Sequence, residues 1–281
     1  MEETSGITAS VITGAPGAPL APRPSRTEPP ARTAARTART ARTAGAARTA
    51  DGSPAFPATA TALAPIPRRP AAAPLDHALR YAEERRWDVF PGTWLDSDGG
   101  IPRCSCGDGA CPAPGAHPAG ARWADEATGS ASGARRMWAG EPRASVLLPT
   151  GRTFDALEVS EDAGCLALAR LGRTGAALGP VTSAPDGRMA FFVQPGAAPK
   201  VPGLLRKLGW SPARLDLVAR GEGGWLAAPP TRFGTRGAVQ WAQRPSAANR
   251  WLPDAAELLP ALAYACAATR PAPAGAAAPA A

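Results

Sequence analysis

Lysine is nearly missing from this chain, with two residues among 281 against 29 arginines. Histidine and tyrosine are as scarce, at two each. So strong a preference for Arg over Lys marks GC-rich coding as much as function. No apolar run approaches the roughly 20 residues that a membrane-crossing helix needs, which excludes a span. The N-terminal stretch lacks a basic start followed by a continuous apolar core, so the sequence predicts no export and a cytoplasmic chain. Five cysteines without an export signal argue against a disulfide scaffold and leave metal ligation open.

What is abundant is Ala, Pro and Gly, at 66, 33 and 30 residues, nearly half the chain. The formal charge of +8 is unevenly placed. Residues 1–74 hold nine Arg against Glu2, Glu3, Glu28 and Asp51, so most of the excess belongs to this N-terminal arm. With Phe56 as its one aromatic residue, the arm cannot bury enough apolar surface to offset its ordering entropy, and it is expected to be disordered. Within it, Arg32–Ala50 reads RTAARTARTARTAGAARTA, either a tether that neutralises phosphates or low-complexity drift. Residues 269–281 read as a second disordered tail, rich in Ala and Pro.

All eight Trp lie between Trp87 and Trp251, which puts the folded body at 75–268. Leu75, Ala78, Leu79 and Ala82 mark one face of an opening helix. Further helices are expected over 131–139, behind a Ser130 or Ser132 cap, and over 162–171, 202–208 and 255–267. Strands are expected near 88–91, 144–148, 153–159, 179–182, 189–194, 215–219, 225–228 and 238–241. Strands and helices mix without regular βαβ alternation, so the fold class is α+β.

The most specific local pattern is Cys104-Ser-Cys106-Gly-Asp-Gly-Ala-Cys111-Pro-Ala-Pro-Gly-Ala-His117, in the Gly/Pro-rich loop 101–120. Zinc takes four soft or borderline ligands at tetrahedral corners, and three Cys with one His form a closed structural set. Such a site has no vacant position for water, so Zn²⁺ here is expected to shape the loop. The other histidine, His77, reads as a surface residue. Cys165 and Cys266, on apolar helix faces, read as buried and inert.

This loop resembles that of the bifunctional DNA primase/polymerase family, the prim-pol branch of the archaeo-eukaryotic primases, and in particular its actinobacterial members. The likeness continues through Trp87-Asp-Val-Phe-Pro91, Ala134-Arg-Arg-Met-Trp138, Ala144–Gly151 and Arg220–Pro230, covering about 75–245. It implies a prim-pol-like fold, a mixed or antiparallel sheet with an RRM-like core packed by helices. It also implies nucleotides and nucleic acid, DNA first, as partners, and Mg²⁺ or Mn²⁺ for nucleotidyl transfer.

Two-metal transfer needs clustered carboxylates, and two acids at i and i+2 on a strand share a face. The family's first acidic pair falls on Glu158 and Ser160, the later single acid on Asp216, and its histidine on Met189. Glu158 and Asp216 are thus the expected catalytic and divalent-metal residues. Asp155 is a further candidate, although on a regular strand it points away from Glu158. Arg188 is a candidate nucleotide contact in place of the histidine. Arg220 could be the salt-bridge partner of Asp216, and other arginines of this half could line a nucleic-acid groove. Two readings stay open: a DNA primase/polymerase, or a non-catalytic nucleic-acid- or nucleotide-binding module that keeps the fold and the structural zinc.

Overall fold

The structure, a computed structural model, describes residues 72–97 and 100–270. The expected disordered arm and tail lie outside these residues, apart from 72–74 and 269–270. The body opens with α1 (Pro74–Arg85), β1 (Phe90–Pro91), β2 (Leu95–Asp96) and β3 (Arg103–Cys104). Next come α2 (Trp123–Glu126), α3 (Ala131–Gly140), β4 (Val146–Pro149), β5 (Asp155–Ser160) and α4 (Glu161–Thr174). The remainder is β6 (Val181–Ala184), β7 (Arg188–Val193), α5 (Val201–Lys207), β8 (Leu217–Arg220), β9 (Trp225–Ala227), β10 (Gln240–Gln243) and α6 (Ala255–Ala268).

Local chemistry explains the helix starts. Pro74 opens α1, where its missing N–H costs nothing, and the Asp76 carboxylate accepts from the Ala73 N–H at 3.1 Å. Ser130 caps α3 by accepting from the Gly133 N–H at 3.3 Å. Glu161 and Asp162 form the acidic first turn of α4, favourable to its dipole.

Five strands form the main sheet in the order β10-β6-β7-β5-β8, and every pair is antiparallel. The run β5-α4-β6-β7-α5-β8 is a βαββαβ unit, the topology expected of an RRM-like core. Alternation sorts its side chains. Leu157, Val159, Met189 and Phe191 pack with Leu258 and Leu262 in a core beneath the helices. Phe154, Ala156 and Phe192 point the other way and pack with Trp87, Trp138 and Leu226. That second core also takes in the small sheet β1-β4-β9. The fold is α+β, and the sheet left open between mixed and antiparallel is antiparallel.

Three expectations need correcting. The strand predicted from 215 begins at Leu217, so Asp216 precedes it. Cys165 is exposed, at the flank of α4 with its Sγ 4.0 Å from Met189 Sδ, while Cys266 is buried as expected. His77 is half-buried, its ring 6.5 Å from that of Tyr81, since α1 turns that face toward the body.

Candidate functional site

Glu158 lies at the middle of β5, on the face turned toward the small sheet. Cross-strand register puts Ala190 and Val218 opposite it and Arg188 opposite Ser160. Arg188 and Arg220 therefore share a face with Glu158, one from each neighbouring strand. Glu158 Oε1 accepts from Arg188 Nε at 3.2 Å and from Arg220 Nη2 at 3.1 Å, and Oε2 accepts from Arg220 Nε. The Nη1 of Arg188 turns to Asp216 and reaches its two oxygens at 2.8 and 2.6 Å. Arg188 thus bridges the two carboxylates. Burial works against its charge, but Asp216 and Glu158 outweigh that and hold the guanidinium above its ordinary pKa. Arg220, which the sequence allowed as a partner of Asp216, pairs with Glu158 instead.

Asp155 takes no part in this cluster. It lies on the opposite face of β5, buried, where its Oδ2 accepts from the Ala198 N–H at 2.7 Å. The carboxylate fixes the turn at Ala198–Lys200 and is not brought to Glu158. Met189 also points away, into the helical core, against Gly164. A histidine at that position would meet the same helix, so Arg188 is the polar side chain that β7 offers to the site.

Beside the cluster is a cavity of about 230 Å³, with Glu158, Arg188 and Arg220 on one wall and Trp225, Phe233 and Ala113 among its other linings. Sequence reading weighed Trp225 as a groove aromatic but missed Phe233 and Ala113, which join it only when β9 and the Cys/His loop fold over the main sheet. Ala113 belongs to that loop. The loop is docked by Gly234 N–H donating to Pro114 O at 2.8 Å and Arg236 Nη2 donating to Pro112 O at 2.9 Å.

The four predicted zinc ligands do converge. One donor atom from each of Cys104, Cys106, Cys111 and His117 lies within 4.8 Å of the others. The β2–β3 hairpin positions Cys104, which pairs with Leu95. Thr93 brings in the other end of the loop, its N–H and hydroxyl both donating to His117 O, at 2.8 and 3.1 Å. The Nδ1 of His117 is 2.9 Å from Pro118 O, so it carries the proton and leaves Nε2 as the ligand. That Nε2 is 3.4 Å from Cys104 Sγ, close to the roughly 3.5 Å edge expected between N and S on a tetrahedral zinc. Burial raises the Cys104 thiol, but N–H groups of Cys106 and Gly115 outweigh it and bring the pKa down to about 6. Cys111 is pushed up to about 11 by burial and by its sulfur neighbours. Three cysteine sulfurs and one imidazole nitrogen brought this close could hold a metal ion, and the donor set fits zinc.

The model of the bifunctional DNA primase/polymerase N-terminal domain matches residues 78–257. The chain belongs to that family. No curated protein and no solved structure matches it. As a Prim-Pol domain it would be expected to cluster carboxylates for two divalent ions, and those present do not fit the task. Two carboxylates facing two guanidinium groups leave no net negative charge, and Ser160 adds none. A dication there would have to displace hydrogen-bonded arginines from Glu158, whose side chain is only 11% exposed.

Proposed function

We propose that this Prim-Pol domain binds nucleic acid, DNA foremost, and nucleotides, without catalysing nucleotidyl transfer. Family membership supports the class of partner. The observation that carries the loss of catalysis is the Arg188 bridge between Glu158 and Asp216, in a chain with serine at the second acidic position. On this reading Glu158 and Asp216 form an ion-pair lattice across β5, β7 and the start of β8, and no step runs through Mg²⁺ or Mn²⁺. Zinc, held by Cys104, Cys106, Cys111 and His117, closes the loop whose Ala113 walls the cavity. No helix among the described residues is long and apolar enough to cross a membrane. A cytoplasmic location belongs to the proposal.

The test is template-dependent incorporation of labelled dNTP with Mn²⁺, run beside a DNA-binding titration over a range of salt. Salt-dependent binding without incorporation is expected. Incorporation abolished by both Glu158→Ala and Asp216→Ala would restore the polymerase reading.

A further inference from the structure

A second cleft, away from the carboxylate cluster, runs between α1 and β10. It encloses about 320 Å³ and is lined by His77, Arg80, Tyr81, Arg85, Trp241 and Arg244 among others. We infer that this cleft binds the backbone of single-stranded nucleic acid, with Arg80 and Arg244 on phosphates and Trp241 as the aromatic wall for an adjacent base. The inference rests on the nucleic-acid-binding reading above for the identity of the polymer, and on the cleft itself for the place.

The charges in the cleft are unspent. Arg80 and Arg244 are exposed, and among the described residues neither side chain makes an ion pair or a hydrogen bond. Arg85 donates to the carbonyls of Ser246 and Asn249 at 2.9 and 2.7 Å and lies over the Trp87 ring, so its position is fixed but its charge is not neutralised by a carboxylate. Glu84 is the lone acid in the lining, against three arginines. The field is felt locally: burial, then Arg80, lowers the pKa of His77, and burial, then Arg250, lowers that of Arg85.

Aromatic rigidity is the second observation. Tyr81 and Trp241 meet edge to face with centroids 5.9 Å apart, and the Tyr81 hydroxyl donates to Pro229 O at 2.7 Å. Stiff aromatic surface beside free guanidinium groups is what single-strand binding uses, because bases stack without sequence preference while phosphates meet charge. An acidic peptide would satisfy the arginines but has no use for the aromatic wall. Chain connectivity points the same way. The arm with nine Arg among residues 1–74 joins the fold at Pro74, one turn from His77. Nine arginines in the segment that precedes α1 suit a polyanion more than a small anion.

The test is fluorescence anisotropy of an oligo-dT strand with the zinc-loaded full chain, wild type against Arg80→Ala/Arg244→Ala. Both side chains are exposed, and circular dichroism with zinc content confirms that the variant is folded. About tenfold or greater weakening is expected, with the slope of log K against log[salt] reduced by about 1.4, roughly 0.7 for each lost phosphate contact. Arg173→Ala, on α4, should leave both unchanged. The ring resonance of His77, one of only two histidines, should move as wild type is titrated with the strand. Unchanged affinity and slope in the folded double variant would overturn this site while leaving the binding reading intact. A wild-type chain that binds no DNA would take both down.

Discussion

Replacing Arg188 with alanine removes the side chain that ties Glu158 to Asp216, and two opposite consequences follow. The first is lost stability. Arg188 is 24% exposed and reaches Glu158 at 3.2 Å and Asp216 at 2.6 Å. Hydrogen bonds to charged groups are worth about 1.5–3 kcal/mol each, but Asp216 is largely exposed and Glu158 keeps Arg220. The sum is about 2–3 kcal/mol, which lowers a urea midpoint by about 1 M at an m-value of about 2–3 kcal/mol/M. The second consequence is a gain. A dication about 5 Å from a guanidinium is repelled by roughly 7 kcal/mol at an effective dielectric of about 20. Arg188→Ala should therefore bind Mn²⁺ at least about tenfold more tightly than wild type, as followed by the free-ion signal in electron paramagnetic resonance. An unmoved midpoint together with unchanged Mn²⁺ affinity would refute the reasoning, because the bridge would then be neither holding the strands nor excluding the ion.

Other predictions concern the Cys/His loop, a packing site beside it and one in the helical core. Purified chain should carry about one zinc, lost in Cys104→Ser and in His117→Ala and read by atomic absorption. Protons compete with zinc for the sulfurs, at Cys111 below about 11 and at Cys104 below about 6, so zinc affinity should fall as pH drops and fall more steeply below about 6. Gly92→Ala should lower the thermal midpoint, at a cost of about 1–3 kcal/mol, because the new Cβ would sit 2.5 Å from Ser145 Oγ and 2.8 Å from His117 O. Met189→His should destabilise by about 1–3 kcal/mol and restore no incorporation, since the imidazole would be buried against Gly164 on the wrong face of β7.

The Cys/His loop was legible because its four candidate ligands are close in sequence and their types admit few other uses. The strand through Glu158 was legible too, since Phe154, Ala156 and Leu157, Val159 alternate between two buried faces. What could not be read was register across strands. That Ser160 faces Arg188, and Glu158 faces Ala190 and Val218, depends on pairings 28 or more residues apart in the chain. The same long-range geometry decides that Met189 looks into the helical core and that Arg220 serves Glu158 and not Asp216. Asp155 illustrates the converse: local alternation already turned it from Glu158, and the structure adds the backbone N–H of Ala198 that it serves. The cavity walls at Trp225, Phe233 and Ala113 come from three separate segments and carry no local signature.

The most direct measurement is anomalous diffraction from crystals of the zinc-loaded protein soaked in Mn²⁺ and dATP. The account predicts a zinc peak among Cys104, Cys106, Cys111 and His117, no manganese between Glu158 and Asp216, and Arg188 still spanning them. Manganese held by both carboxylates, with Arg188 swung away and a nucleotide triphosphate on the ion, would contradict it.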